Sequence, residues 1–600
     1  MNEKNRLFNT TAPMAGALLV LSLVLAACST RDENPAAAKD RAEPPPMPPT
    51  LEVKIVPQVP VPEVQIQPMP VAAPAPPAKA TEMQRSSDAQ RQKSLESVVV
   101  SGARVAYAYS SSPPPTPAVA YAPPSTAKYA SFNDNPWQRV AEAPVSTFGA
   151  SVDTASYANV RRFINRGTLP PQDAVRVEEL VNYFGYDYAA PSAHDAQPFK
   201  VDARIAAAPW NPERGLLRIA IKGRDLAKLS LPPANLVFLV DVSGSMSPQD
   251  RLPLVRSALH LLTRQLRAQD HVAIVSYASG TRVVLPATTG DQKDKIDQAI
   301  DTLQAGGGTY GEAGIRLAYA QAHEGFVSEG INRVLLATDG DLNIGVTEPG
   351  QLKALVEDER KRGVGLTTLG VGDSNYNDAL MKKLADAGDG SYHYLDSLQE
   401  AHKVLVNEMT STLAVIAQDL KLQIEFNPAQ VDEYRLIGYE MNALTREQFN
   451  DDKVDAGDIG AGHTVTALYE YVPKGAKGNV DPLRYGEDKK KVAAAASSDK
   501  SGELAWIKLR YKKPGTSSSE LVAFPVHKPA QLLTLAQADT EMRFAVAAAA
   551  WGQWLRGSTL IGAYGPAQIL PLAREARGDD RYGHRAEFVR LVELSSSLKR

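Results

Sequence analysis

Asp241, Ser243 and Ser245 are the residues whose types and spacing could do chemistry. They stand in Asn235-Leu-Val-Phe-Leu-Val-Asp-Val-Ser-Gly-Ser-Met246, where an apolar run, Leu236 to Val240, stops abruptly at a carboxylate and two hydroxyls. An uninterrupted Val/Leu run of this length reads as a strand buried on both faces. In open α/β sheets, ligands bind at the carboxyl ends of such strands. Side chains two apart on an extended loop point the same way, so the three residues would present oxygens to one point. Hard cations prefer oxygen ligands.

The Asp-x-Ser-x-Ser pattern resembles the metal-ion-dependent adhesion site of von Willebrand factor A domains. That family adds a Thr from a later loop and an Asp after a second apolar strand. Here Gly306-Gly-Gly-Thr309 offers the first, and Val334-Leu-Leu-Ala-Thr-Asp339-Gly the second. The resemblance implies that Ser243, Ser245 and Thr309 ligate a Mg²⁺ ion (or Mn²⁺ or Ca²⁺), with Asp241 and Asp339 as its charge partners. Two converging carboxylates repel unless a cation or a proton intervenes, which is the physical reason to pair them around a metal. It also implies a coordination position left open for an acidic group of a protein partner. Asp341 is expected to face solvent or the outer shell.

Other chemistries fail on their specifics. Gly306-x-Gly308-x-x-Gly311 formally fits a dinucleotide fingerprint but follows a helical pattern instead of the first strand of a βαβ unit. Asp339-Gly-Asp-Leu-Asn begins like a calcium loop, yet Ile344 and Gly350 stand where Gly and Glu are needed. A phosphoryl-transfer aspartate of the haloacid dehalogenase type wants a second Asp where this chain has Ser243. There is no Gly-x-Ser-x-Gly elbow and no His-Glu-x-x-His. His323, His393 and His402 read as ordinary helix or strand residues. The expectation is a binding protein and not an enzyme.

The elements that must position these residues come next. From Asn235 to about Thr412, apolar strands and amphipathic helices alternate, which gives a mostly parallel sheet with helices on both faces. On either side the period changes to two. Val201, Ala203 and Ile205, and then Leu217, Ile219 and Ile221, alternate with polar neighbours, as do Leu420–Phe426, Val465–Tyr471 and Ala505–Tyr511. Alternation of this kind means one buried and one wet face. Two early strands make no stable sheet alone. They are expected to join the later ones in a sandwich into which the α/β unit is inserted. Asp153 or Thr154 could cap a helix bearing Tyr157, Val160, Phe163 and Ile164. Pro170-Pro171 should open a second, bearing Val177, Leu180, Val181 and Phe184. The tail is helical, with Phe544, Ala547, Ala548, Trp551 and Leu555 on one face. Lys474 to Gly502 reads as a mobile loop.

The wording of Val152-Asp-Thr-Ala-Ser-Tyr157 and Val175-Arg-Val-Glu-Glu-Leu-Val-Asn-Tyr-Phe184 resembles the YfbK-like bacterial lipoproteins, which carry a von Willebrand A domain between N- and C-terminal regions of their own. The resemblance runs from about Pro144 to the end of the chain.

The N-terminus completes the organisation. Lys4 and Arg6 precede an apolar stretch, Ala15–Ala27, too short for a stable span and ending Leu25-Ala-Ala-Cys28. This resembles the bacterial lipoprotein signal, in which Cys28, the chain's one cysteine, would become the lipidated first residue. In such lipoproteins an Asp after the Cys signals inner-membrane retention. Ser29 stands there instead, so an outer membrane is expected. Of the 43 prolines, 20 fall between Arg31 and Lys128, a composition that cannot fold on itself. As a coil, such a tether reaches roughly 50–60 Å. Ser94 to Val105 within it resembles a stretch near the start of TonB-dependent receptors, though it also fits a stray β-prone patch. A net charge of −3 over 600 residues gives no electrostatic case for nucleic acid.

The division is thus a signal segment at 1–28, a disordered tether at 29–130, helices and sandwich strands at 137–232, the α/β unit at 233–412, and strands with a helical tail at 413–600. The expected function is metal-dependent binding of a protein partner's carboxylate from a lipid-anchored envelope protein. The alternative is a scaffold of an envelope or ATPase-assisted assembly complex.

Overall fold

The computed structural model describes residues 127–150, 153–192, 194–340, 349–373, 376–481, 483 and 500–598. The signal segment with Cys28, nearly all of the tether, the 94–105 stretch, Asp341 and most of the 474–502 loop lie outside these residues. Chain within the expected tether boundary already runs along the α/β unit, where the Lys128 N–H donates to the Tyr376 carbonyl at 2.8 Å.

The apolar runs form the central sheet. Its order is Tyr392–Tyr394, Gly365–Gly370, Ile331–Thr338, Ala234–Asp241, His271–Tyr277 and Thr281–Thr289. Neighbours are parallel except for the last pair. Alternate residues of the Ala234–Asp241 strand serve opposite faces. Leu236, Phe238 and Val240 pack with helices Leu252–Thr263 and Lys293–Asp301. Val237 and Leu239 pack with Gly311–Glu324 and Asp378–Ala387. The doubly wound, mostly parallel α/β fold expected from the sequence is therefore present, with helices flanking it.

Two antiparallel sheets surround this insertion. One runs Gln138–Arg139, Val431–Ile437, Thr464–Pro473, Asn211–Gly223, Phe199–Ala208. The other runs Ala443–Leu444, Val145–Gly149, Val415–Phe426, Glu503–Lys512, Ser519–His527. Strands from before and after the α/β unit are hydrogen-bonded together, with Ile219 opposite Ala467 and Phe148 opposite Leu422. Leu217, Ile219 and Ile221 meet Leu422, Ile424, Ile507 and Leu509 between the sheets. The insertion enters and leaves at one place, where Leu231 packs on Ala414 and Ala461.

Three local expectations change. The Asn211–Gly223 strand has no wet face: Arg218 is buried and donates to Asp539 and Asp202, each at 2.9 Å. A helical layer covers that face, with Leu216 and Ala220 packed beneath Thr540–Arg556 and His584–Ser595. Helix Thr540–Arg556 is apolar on nearly every side because it is the centre of this layer. The helix expected from Pro171 starts only at Val177. Arg176 is extended, its N–H held by Ser156 Oγ at 2.9 Å, which sends the guanidinium to Glu179 and Asp378 at 2.5 and 2.6 Å. Neither Asp153 nor Thr154 caps through its side chain. Asp153 instead accepts from Lys382 Nζ at 2.5 Å and the Tyr392 N–H at 2.9 Å.

Arg161 joins these layers. Its guanidinium contacts Asp396 at 2.5 Å, Glu400 at 2.7 Å, Tyr183 Oη at 2.9 Å and Glu587 at 3.0 Å. Burial alone would disfavour the charge, yet Tyr183, Asp396 and Glu400 hold the group well above its ordinary pKa. Removing one partner of a buried ion pair costs about 3–5 kcal/mol. Arg161→Met should therefore lower the urea midpoint substantially. Arg161→Lys should recover little, because an ammonium lacks the planar fork. Unchanged midpoints would show that the layers are held by apolar packing alone.

Candidate functional site

The central strand delivers Asp241 to the carboxyl edge of the sheet, fully buried. Its Oδ1 accepts the Ser243 N–H at 2.9 Å, so the chain turns at once as an Asx turn does. Its Oδ2 accepts from Thr338 Oγ1 at 2.9 Å and Tyr277 Oη at 3.2 Å, both from neighbouring strands. Burial raises the Asp241 pKa and the charge on Asp339 adds to this, against the Ser243 and Thr338 hydrogen bonds. Ser243 Oγ and Ser245 Oγ lie 3.0 Å apart. The loop carrying Thr309 lies against them: the Gly306 N–H donates to Val242 O at 2.8 Å and the Gly244 N–H to Gly307 O at 3.0 Å.

Asp339 ends the adjacent strand, also buried. Its Oδ2 accepts from Arg251 Nη1 at 2.7 Å, and the same nitrogen donates to the Ser245 carbonyl at 2.7 Å. Arg251 Nη2 stands 3.8 Å from Asp373. The guanidinium needs a glycine beside it, since a Cβ on Gly372 (φ +72°) would lie 2.4 Å from Arg251 Nε.

The structure thus gathers Asp241, Ser243, Ser245 and Asp339 and sets the Thr309 loop beside them, but the metal expectation is corrected. Among the described residues, no three or more His, Cys, Asp or Glu side chains are grouped to hold a metal ion. The physical reason is that the positive charge is built in. Arg251 neutralises Asp339, and Asp241 is engaged by three donors. The Mg²⁺ cofactor, the metal-dependent adhesion function and the partner carboxylate completing a metal shell fall together.

The residues that sequence reasoning missed are Arg251, Tyr277 and Thr338. Arg251 had a signal: it immediately precedes helix Leu252–Thr263, where the helix dipole disfavours a cation. A cation in that position needs a carboxylate partner. Tyr277 follows from register, because it lies opposite Asp241 on the neighbouring parallel strand.

The chain is similar to known proteins over most of its length. Residues 235–407 match the family described as von Willebrand factor type A domain, and 411–598 the one described as Uncharacterized protein YfbK, C-terminal. Residues 123–218 match the family described as von Willebrand factor. Over 486 residues the chain is 50% identical to the Uncharacterized protein YfbK of Escherichia coli, covering 80% of this chain and 83% of that one. It is 28% identical over 348 residues to an uncharacterized protein of Synechocystis, covering 56% of this chain and 75% of that one. Among solved structures, a von Willebrand factor type A protein from Catenulispora acidiphila aligns at 16% identity and a TM-score of 0.36, covering 68% of this chain and 92% of that one.

Arg251→Leu should leave Asp339 buried without its cation and cost about 3–5 kcal/mol. Adding Asp339→Asn should restore a large part of that loss, because the stranded charge disappears with it. Denaturant unfolding of both single variants and the double variant measures the coupling. Simple additivity of the two losses would mean that the pair does not interact.

Proposed function

This chain belongs to the YfbK family of von Willebrand A-domain proteins, and from that premise we propose that it is a protein-interaction module held at the cell envelope by a lipid on Cys28. Von Willebrand A domains are adhesion and interaction folds, and the chain is not an enzyme. Among the described residues no helix is long and apolar enough to cross a membrane. The reading of Cys28 rests on the apolar segment that precedes it and on its being the only cysteine.

One observation supports placing the partner at the strand-end loops. Tyr310, beside Thr309, is 57% exposed, while the loop under it is pinned. Its own N–H donates to Ala278 O at 3.0 Å, and the Gly308 N–H donates to Ser279 Oγ at 2.7 Å. Aromatic side chains dominate binding hot spots, and a loop already held in place pays little ordering entropy on association. Recognition here is by shape and hydrogen bonding around an aromatic carried on a held backbone, with Arg251 supplying the internal charge.

A photo-reactive benzoylphenylalanine at position 310 should give a discrete cross-linked species in intact cells. The same group at Phe326, exposed at the opposite end of the sheet, should give none. Indistinguishable patterns from the two positions would overturn the placement. Separately, Cys28→Ser should move the protein out of the membrane fraction. Retention of the variant through a high-salt wash would overturn the anchor.

A further inference from the structure

A cavity of about 250 Å³ lies where the α/β unit meets the sandwich. Among the described residues, four buried atoms of its wall that can accept a hydrogen bond have no partner, Asp458 Oδ2, Asn442 Oδ1, His393 Nδ1 and His463 Nδ1, and neither has one donor, Arg333 Nε. His393 is 4% exposed. Its Nε2 faces Ser391 Oγ at 2.9 Å. With that nitrogen protonated and donating, Nδ1 is left with a bare lone pair. Burial lowers both histidines to about 4, so each is neutral near pH 7 and keeps an acceptor. His393 lies in strand Tyr392–Tyr394, as the sequence led us to expect.

The surrounding charge is unbalanced in the same direction. Lys382 is shared by Asp153 and Asp386, at 2.5 and 3.3 Å. Arg360 is shared by Asp389 and Asp455, at 2.7 and 3.0 Å. Asp458 accepts the Asp419 N–H at 3.1 Å through its other oxygen. Arg333 donates to Thr367 Oγ1 at 2.9 Å and the Asp389 carbonyl at 3.1 Å, and its charge offsets only part of the burial cost of Asp458. Burial, reinforced by Asp389, pushes the Asp458 carboxyl well above its ordinary range, so its ionised form awaits a cation, and burial also raises Asp386 and Asp389.

An unmet buried acceptor costs about 1–3 kcal/mol, more when charged. Ordered water would satisfy the imidazoles and the amide but brings no positive charge. Among the described residues the wall's His and Asp side chains are not grouped as a metal ion requires, at about 2.0–2.6 Å from one point, whereas an ammonium nitrogen takes its acceptors further out, at about 2.7–3.0 Å. We propose that this cavity binds a primary alkylammonium group, whose three N–H donors are taken by the Asp458 carboxylate and by two or more of Asn442, His393 and His463.

Such a group can arrive as a free diamine or as the lysine side chain of a protein. Calorimetric titration of the full chain with putrescine and with Nα-acetyl-lysine amide separates these sources, and n-butanol is the neutral control. At least one of the two cations should bind at one site per chain, and butanol should not. Asp458→Asn, which keeps the shape, should weaken binding about tenfold or more without lowering the melting temperature of the free protein. Asn442→Leu, at the half-buried rim, carries the test if Asp458→Asn does not fold. Binding by putrescine alone assigns a free ligand, and binding by the lysine amide alone assigns a side chain. Binding by neither cation, or binding that both variants leave unchanged, overturns the proposal.

Discussion

Buried guanidinium and ammonium groups shared between distant carboxylates hold this protein in its arrangement. Arg161 brings Asp396 and Glu400, at the end of the α/β unit, to Glu587 of the terminal helix. Arg176 spans Glu179 and Asp378, and Lys382 reaches back to Asp153. Each is nearly inaccessible to solvent. Pairs of this kind gain little over apolar residues of the same volume, because desolvation offsets their attraction. What they supply is direction. An apolar contact tolerates sliding, whereas a forked cation with three fixed acceptors does not. The two helices Ala155–Asn165 and Val177–Asn182 are thereby seated between the α/β unit and the helical tail in one orientation.

The same device appears at the strand ends, where it settles the chemistry. A buried pair of carboxylates at the edge of a parallel sheet demands a positive charge. In this chain Arg251 provides it covalently, from the start of the helix that follows the loop. The loops are then tied by backbone hydrogen bonds and present hydroxyls, glycines and Tyr310 outward. A platform of that sort is fixed in shape before anything meets it.

Much of this was readable from local pattern. The run Leu236–Val240 announced a central strand because every residue in it is apolar, and both faces of that strand proved buried. The paired sandwich strands announced themselves by period two. What pattern could not supply were partners distant in sequence. Arg218 sits at a position that reads as solvent-facing, yet it meets Asp539, more than 300 residues away. Helix Val177–Asn182 starts late because Ser156 captures the Arg176 N–H from another helix. The strand-end site was read as a metal centre because its hydroxyls and carboxylates are local in sequence. The guanidinium that answers them is recognisable only through its awkward position at a helix start. His393 reads as a strand residue and is one, but whether its imidazole finds a partner is a property of the finished cavity.

The sandwich is interrupted, and this bears on the order in which the molecule can be made. Ile219 waits for Ala467, about 250 residues later, before its strand gains that neighbour. During synthesis, Phe199–Ala208 and Asn211–Gly223 form at most a hairpin with an open edge, the kind of species that aggregates. The α/β unit, by contrast, is contiguous and complete once Leu413 has emerged. Its folding brings Leu231 against Ala414, so a long loop closure becomes a short one before the sandwich is attempted. The inserted unit therefore works as an intramolecular splint. A mutation that slows its folding should show first as a loss of soluble protein, with the finished fold of the surviving molecules unaltered.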